Sequence, residues 1–216
     1  MSVALVCDIR INPSLNVMQQ ILEAVGRDDE LMLDVLDATL LRRVLNEGWK
    51  LQEALRDAYS AWTVRDDGRG LVRRVDPTAD AAYRNAISPG DEASLELSEA
   101  WSAMFGKAPN YSDAWDHAIK AMETVLVPVV APNNPRATLG TVTTELEKGV
   151  KFVAFVLGPV ETLGAMTRLA WPNPDRHGGA QSRPPEEAET SAVVHLAVTV
   201  VQWMRNGVIE RVIASD

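Results

Sequence analysis

The strongest constraint on the fold is a long apolar segment near the C-terminus, PEEAETSAVVHLAVTVVQWMRNG at residues 185–207. Acidic residues near its start and a glycine at its end are typical helix boundaries. A helix that is apolar on nearly its whole circumference is buried on most sides. The sequence therefore predicts a helical core, or an interface, built around this segment. The apolar positions are Val193, Val194, Leu196, Ala197, Val198, Val200, Val201, Trp203 and Met204.

The same helix carries one polar stripe, formed by Ser191, His195, Thr199 and Gln202. Their spacing of four, four and three places them on one side of a helix. A narrow stripe that faces solvent or is satisfied by hydrogen bonds is the favoured interpretation. A polar cleft or a dimer seam is the alternative, and it makes His195 a secondary site candidate.

The rest of the chain is also predicted to be mainly helical. Candidate N-caps include Asn12 or Ser14 for the first helix and Ser112 for a helix starting near residue 111. A DDGRG turn between β-branched and aromatic residues predicts one small β-hairpin over residues 61–75. Further helices are predicted at 12–26, 28–45, 49–59, 76–87, 91–106, 111–130, 138–149 and 158–171.

A domain boundary is predicted at SPGDE, residues 88–92, where proline and glycine interrupt the helical periodicity. Residues 1–88 then form an N-terminal helical region that contains the hairpin. Residues 91–216 form a C-terminal helical bundle. The length of 216 residues is enough for a sizeable core.

The charge balance limits the partners. Thirty acidic and twenty-one basic residues give a net charge of −9, which repels a phosphate backbone, so any nucleic-acid site must be local. The single cysteine, Cys7, cannot form an intramolecular disulfide and suits a reducing cytoplasm. The apolar stretches are shorter than the roughly 18 residues that span a bilayer, and the first residues, MSVALVCDIR, do not resemble a signal peptide. A cytoplasmic location without membrane association is expected.

Motif searches exclude several enzyme classes. His117, His177, His195 and Cys7 share no metal-ligand spacing, so no metal and no cofactor are expected. The sequence contains no Walker A loop, GxGxxG or GxSxG. The glycines at 158 and 164 are interpreted as a helix start and a packing contact.

Two further segments carry polar candidates. The connection AWPNPDRHGG, residues 170–179, holds Arg176 and His177; without other information, such a histidine is interpreted as exposed or capping. The helix at 111–130 has a polar face of Asp113, Asp116, His117, Lys120 and Glu123, which is predicted to be solvated. Lys120 and Glu123 are interpreted first as a surface ion pair.

Residues 91–206 resemble a known family. The motifs AWSAMFG, AIKAMETVL and ATLG, followed by RHG before the long apolar helix, are similar to the C-terminal domain of bacterial abortive-infection proteins. That domain resembles the HEPN helical superfamily. The resemblance implies a helical bundle that acts as a homodimer, in which an Arg and a His separated by four to six residues face a shared cleft and cut RNA without metal.

The resemblance implies roles for three residues. His177 would be the general acid and base, because an imidazole titrates near neutral pH. Arg168 would hold the phosphate, with Arg176 as a replacement, because a guanidinium can bind two phosphate oxygens. Lys120, Glu123 and His195 are secondary polar candidates. Eight residues lie between Arg168 and His177 rather than four to six.

Two functions follow. The first is a defence protein of the abortive-infection type that cleaves RNA as a homodimer. The second is a non-catalytic helical protein that keeps the HEPN-like fold and binds or regulates a protein partner. The long spacing between Arg168 and His177 and the net charge of −9 motivate the second.

Overall fold

The computed structural model describes residues 7–44, 48–151, 153–175 and 182–212. It is mainly helical, which confirms the predicted class. The described residues form two small antiparallel sheets and nine helices. The helices are α1 (Val17–Val25), α2 (Asp29–Leu41), α3 (Gly48–Asp57), α4 (Pro77–Ile87), α5 (Glu92–Phe105), α6 (Tyr111–Val130), α7 (Leu139–Glu147), α8 (Val160–Arg168) and α9 (Glu187–Arg205). The strands are β1 (Trp62–Val64), β2 (Leu71–Arg73), β3 (Val153–Phe155) and β4 (Ile209–Arg211).

The chain forms two compact units. Unit 1 comprises Met1–Arg74 and Phe105–Ala108, and unit 2 comprises Val75–Met104 and Pro109–Asp216. Helix α4 precedes the boundary expected at residue 88, yet it packs on α9 within unit 2. The chain therefore passes from unit 1 into unit 2 directly after the hairpin, between Arg74 and Val75.

Unit 1 has a small core in which the hairpin packs on the helices. Leu40, Leu55, Val64 and Leu71 are buried together. The predicted hairpin is present: β1 pairs antiparallel with β2, and Val64 lies opposite Leu71. Each strand therefore contributes a side chain to the same core.

Helix side chains bind the outer edges of this hairpin. Gln52 on α3 accepts a hydrogen bond from the backbone N–H of Val64 over 2.8 Å. Asp37 on α2 accepts one from the backbone N–H of Leu71 over 2.6 Å, and burial raises the pKa of Asp37. A two-stranded ribbon is marginal in water, so these contacts explain why it persists.

Unit 2 is built around α9, as predicted. The side chains of Val194, Ala197, Val200 and Val201 are fully buried. Helix α9 packs along α6, and β4, which follows α9, also contacts α6. The hydroxyl of Tyr111, at the start of α6, donates to Glu187, at the start of α9, over 3.2 Å. The N-terminal ends of the two helices therefore lie side by side.

Helices α7 and α8 approach each other closely at Gly164. A Cβ at Gly164 would lie 2.8 Å from the backbone nitrogen of Glu147. Next to this point, the buried hydroxyl of Thr143 donates to that of Thr167 over 2.9 Å. The prediction of a packing contact at Gly164 is confirmed.

The second sheet was not predicted. Strand β3 pairs antiparallel with β4, and Phe155 lies opposite Ile209. The Phe155 ring packs against Trp203 at a centroid distance of 5.4 Å. The two strands are far apart in the sequence, so no turn signal joins them.

Two predicted helix caps are wrong. Helix α1 is capped by Asn16 rather than by Asn12 or Ser14, and the Asn16 side chain accepts a first-turn N–H over 3.0 Å. Helix α6 is capped by Asn110 rather than by Ser112. The Ser112 hydroxyl is engaged by a tertiary contact instead.

None of the described helices combines the length and the apolar character that crossing a membrane requires.

Candidate functional site

The segment before residue 176 is anchored on α6. The indole N–H of Trp115 donates to the carbonyl of Ala170 over 2.8 Å. The amide of Asn173 donates to the Asp116 carboxylate over 2.8 Å and to the Ser112 carbonyl over 3.3 Å. Asn173 and Asp116 are only 2% and 8% exposed. The position of this segment is thus set by buried hydrogen bonds.

The described residues on either side of positions 176–181 meet at this anchor. The Ser112 hydroxyl donates to the Asp175 carboxylate. The Ser182 hydroxyl donates to the Asp175 carbonyl over 3.1 Å, and the Arg183 N–H donates to the Pro174 carbonyl over 3.4 Å. We call Ser112, Asp116, Asn173 and Asp175 the loop-base cluster.

Gly140 makes room for the indole of Trp171, the residue after Ala170. A Cβ on Gly140, in α7, would lie 2.7 Å from Cε2 of that indole. Any larger residue at 140 would push the indole away. The path of the chain into the loop-base cluster therefore depends on a glycine in α7.

His177 and Arg176 lie outside the described residues. Their predicted roles remain predictions. The described residues that flank their segment in the sequence, Asp175 and Ser182, are hydrogen-bonded to each other.

Arg168 is the last residue of α8, and it is paired. Its Nε donates to Glu147 Oε1 over 3.0 Å, and its Nη2 donates to Glu147 Oε2 over 2.8 Å. Hydrogen bonding to Arg168 lowers the pKa of Glu147, and the same contact raises the pKa of Arg168. The two side chains are 44% and 37% exposed, so the pair lies at the surface.

Glu123 has a structural contact. Its carboxylate accepts the backbone N–H of Leu139, at the start of α7, over 2.6 Å. Burial raises the pKa of Glu123, while the Leu139 N–H and the charge of Lys120 act in the opposite direction. Lys120 itself is exposed.

His195 lies half-buried on the polar stripe of α9. Its Nδ1 is 3.4 Å from the Ser191 hydroxyl, and its ring meets Trp101 edge-on at 5.7 Å. Further along the stripe, Gln202 donates to the Ala82 carbonyl over 2.8 Å. The stripe therefore packs against α4 and α5, which agrees with its interpretation as a hydrogen-bonded stripe.

The polar face of α6 is solvated only in part: Asp113 and Lys120 are exposed, as predicted, but the other three residues are not. Asp116 is buried, and Glu123 is half-buried. His117 is also half-buried: its Nδ1 lies 2.6 Å from Glu96 on α5, and its Nε2 lies 3.7 Å from Asp113. Tertiary contacts with α5, α7 and the 171–175 segment cover His117, Glu123 and Asp116, respectively.

The excess negative charge is concentrated in unit 2. Unit 1 holds eleven basic and twelve acidic residues, whereas unit 2 holds ten basic and eighteen acidic residues. Among the described residues, no group of three His, Cys, Asp or Glu side chains is arranged to hold a metal ion. A phosphate ligand at unit 2 would need a local cluster of cations to offset this charge.

Comparison with protein-family models, with curated proteins and with solved structures finds no match to this chain. The resemblance to the abortive-infection domain therefore stays a prediction. Sequence reasoning missed Asp116, Asn173 and Glu147 as residues near the candidate site. The first two contact each other 57 residues apart, and Glu147 meets Arg168 21 residues away.

Proposed function

We propose that this chain is a defence protein of the abortive-infection type, with a HEPN-like bundle in unit 2, and that it cleaves RNA without metal as a homodimer. One observation carries the proposal. Asp175 and Ser182, the described residues that flank the segment with Arg176 and His177, are hydrogen-bonded to each other at the loop-base cluster, and Tyr111, next to Ser112, donates to Glu187 at the start of the buried α9. The family resemblance expects its histidine in such a loop, directly before the long apolar helix.

The chemistry uses this chain's own side chains. His177 takes the proton of a ribose 2′-hydroxyl as that oxygen attacks the adjacent phosphorus, and it then protonates the leaving 5′-oxygen. Arg176 or Arg168 binds the phosphate oxygens as negative charge develops on them. The carboxylates of the loop-base cluster can hold an imidazole in one orientation, as carboxylates do in other acid-base sites.

The homodimer supplies a second set of cations. Each copy of unit 2 is acidic, so a single Arg offers little attraction for RNA. Two loops facing one groove would bring two histidines and up to four arginines together. The proposal therefore ties cleavage to dimer formation.

The test is cleavage of single-stranded RNA by the purified chain in the presence of a metal chelator. We expect cleavage by the wild type and its loss in His177→Ala. His117→Gln is the matched control, because His117 contacts Glu96 and Asp113 rather than the loop-base cluster. Intact RNA with the wild type, or equal cleavage by His177→Ala, contradicts the proposal.

A second candidate is a non-catalytic protein with the same fold. The family spacing would put the arginine at residues 170–172, but these are Ala170, Trp171 and Pro172. The Ala170 carbonyl accepts a hydrogen bond from the Trp115 indole, and the Trp171 indole packs against Gly140. Arg168 is occupied by Glu147. A dimer that neither cuts nor binds RNA would favour this second function.

A further inference from the structure

We propose that Glu147 is a built-in competitor for phosphate at Arg168, so that the Nε–Nη2 edge of Arg168 binds an RNA phosphate only after this carboxylate is displaced. The inference rests on the proposed function and concerns the regulation of that site. Nothing in the resemblance to the abortive-infection domain assigns a role to Glu147.

The first argument is the geometry of the contact. Nε and Nη2 of Arg168 each donate to a different oxygen of Glu147, over 3.0 and 2.8 Å. This edge of a guanidinium is one of the two that can take two oxygens of a phosphate in bidentate binding. A carboxylate and a phosphate cannot occupy the same edge together. Glu147 and RNA therefore compete for the Nε–Nη2 edge of Arg168.

The second argument is the way in which the backbone holds Glu147 in place. Gly164 lies one helical turn before Arg168, on the same side of α8. Because Gly164 has no Cβ, the backbone nitrogen of Glu147 approaches to 2.8 Å from where that Cβ would be, and Glu147 Cγ to 3.0 Å. The contact between α7 and α8 thus fixes the backbone and the Cγ of Glu147 on the side of α8 that carries Arg168.

The third argument is that the pair can be opened. The side chains of Arg168 and Glu147 are 44% and 37% exposed. Exposed ion pairs are weakened by water and salt, so a polyanion can displace the carboxylate. Glu147 is ionised at neutral pH like any exposed glutamate, and hydrogen bonding to Arg168 lowers its pKa further, so it competes throughout the range in which a histidine can transfer protons.

Glu147→Gln tests the inference, because glutamine keeps the size of the side chain and removes the charge. The matched control is Glu145→Gln, which removes one charge from the same helix at a residue that pairs with Lys148 instead. The probe is a short fluorescent single-stranded RNA of mixed sequence, bound to dimers that also carry His177→Ala so that the RNA stays intact. We expect Glu147→Gln to tighten binding by about two- to fivefold over Glu145→Gln. The gain should vanish when Arg168→Ala is added.

A second readout separates this inference from the proposed function. Inorganic phosphate is titrated against the wild type and Glu147→Gln while the NMR signal of the Arg168 Nε–H is followed. Tighter phosphate binding in Glu147→Gln, without any RNA cleavage by the wild type, would support the competition and contradict the ribonuclease. Cleavage that depends on His177, with RNA and phosphate binding unchanged in Glu147→Gln, would overturn the competition alone. A gain that persists with Arg168→Ala would also overturn it.

Discussion

Glu123 on α6 accepts the backbone N–H of Leu139 over 2.6 Å, so a side chain of one helix stabilises the first turn of the next. Leu139 is fully buried. We expect Glu123→Ala to lower the free energy of unfolding by about 1–3 kcal/mol, because a buried donor loses its acceptor. Urea unfolding of unit 2 measures the loss. An unchanged unfolding midpoint would show that the contact contributes nothing.

Glu123→Gln should raise the free energy of unfolding at neutral pH, whereas Glu123→Ala should lower it. Burial raises the pKa of Glu123, so the folded state binds its proton more tightly than the unfolded state. Its contribution is then largest below the ordinary pKa of 4.5 and is lost as the pH rises through the raised value. Glutamine keeps an acceptor for Leu139 and carries no charge. We expect Glu123→Gln to be more stable than the wild type at neutral pH, and the difference to disappear in acid.

Asp91 should show the reverse pH dependence. Asp91 is exposed; partial desolvation opposes its ionisation, but hydrogen bonds from Ser94 and Arg205 outweigh this and lower its pKa. The stabilisation is therefore present above the ordinary pKa of 3.8 and is lost as the pH falls through the lowered value. Asp91→Asn should be less stable than the wild type at neutral pH and equal to it in strong acid. A difference independent of pH would contradict this assignment.

These contacts show how far the sequence predicts the fold. The predicted helix starts at Asp76 and Thr138 are confirmed. Each side chain accepts a hydrogen bond from a backbone N–H two or three residues further along the chain, so the cap is a local signal. The hairpin at 61–75 was also found from a local turn. Local signals of this kind need no knowledge of the tertiary fold.

The rest depended on contacts between distant residues. The sequence predicts a solvated position for Asp116 and Glu123, and both are at least half-buried. No sequence pattern indicates that Asn173 contacts Asp116, or that the Leu139 N–H donates to Glu123. Strands β3 and β4 are short and pair only across the fold, so neither has a detectable pattern of its own. Arg168 was identified as a candidate, but its partner Glu147 follows only from the packing of α7 on α8.

Gly164→Ala tests that packing. The new Cβ would lie 2.8 Å from the Glu147 backbone nitrogen, so the two helices must move apart. We expect a loss of about 1–3 kcal/mol in the free energy of unfolding. Gly48→Ala is the control, because a Cβ there would meet only ordinary contacts, with Leu40 at 3.7 Å. Equal effects of the two substitutions would contradict the close approach.

Gly140→Ala tests the position of the Trp171 indole against α7. The added methyl group would collide with the indole, displace Ala170 and weaken the hydrogen bond from Trp115. We expect a shift of the Trp115 indole N–H signal in NMR spectra. The cost of Gly140→Ala should shrink when Trp171→Leu is added, since the smaller side chain leaves room. Additive effects of the two substitutions on the free energy of unfolding would contradict the contact between Gly140 and the Trp171 indole.

The most direct test of the proposed ribonuclease is the chemistry of the RNA ends that it leaves. Attack by a 2′-hydroxyl with His177 as general base predicts a 2′,3′-cyclic phosphate on one product and a 5′-hydroxyl on the other. Mass spectrometry of RNA incubated with the wild type in chelator should detect both ends, and with His177→Ala it should detect neither. RNA that stays intact with the wild type, or product ends of another kind, would contradict the account.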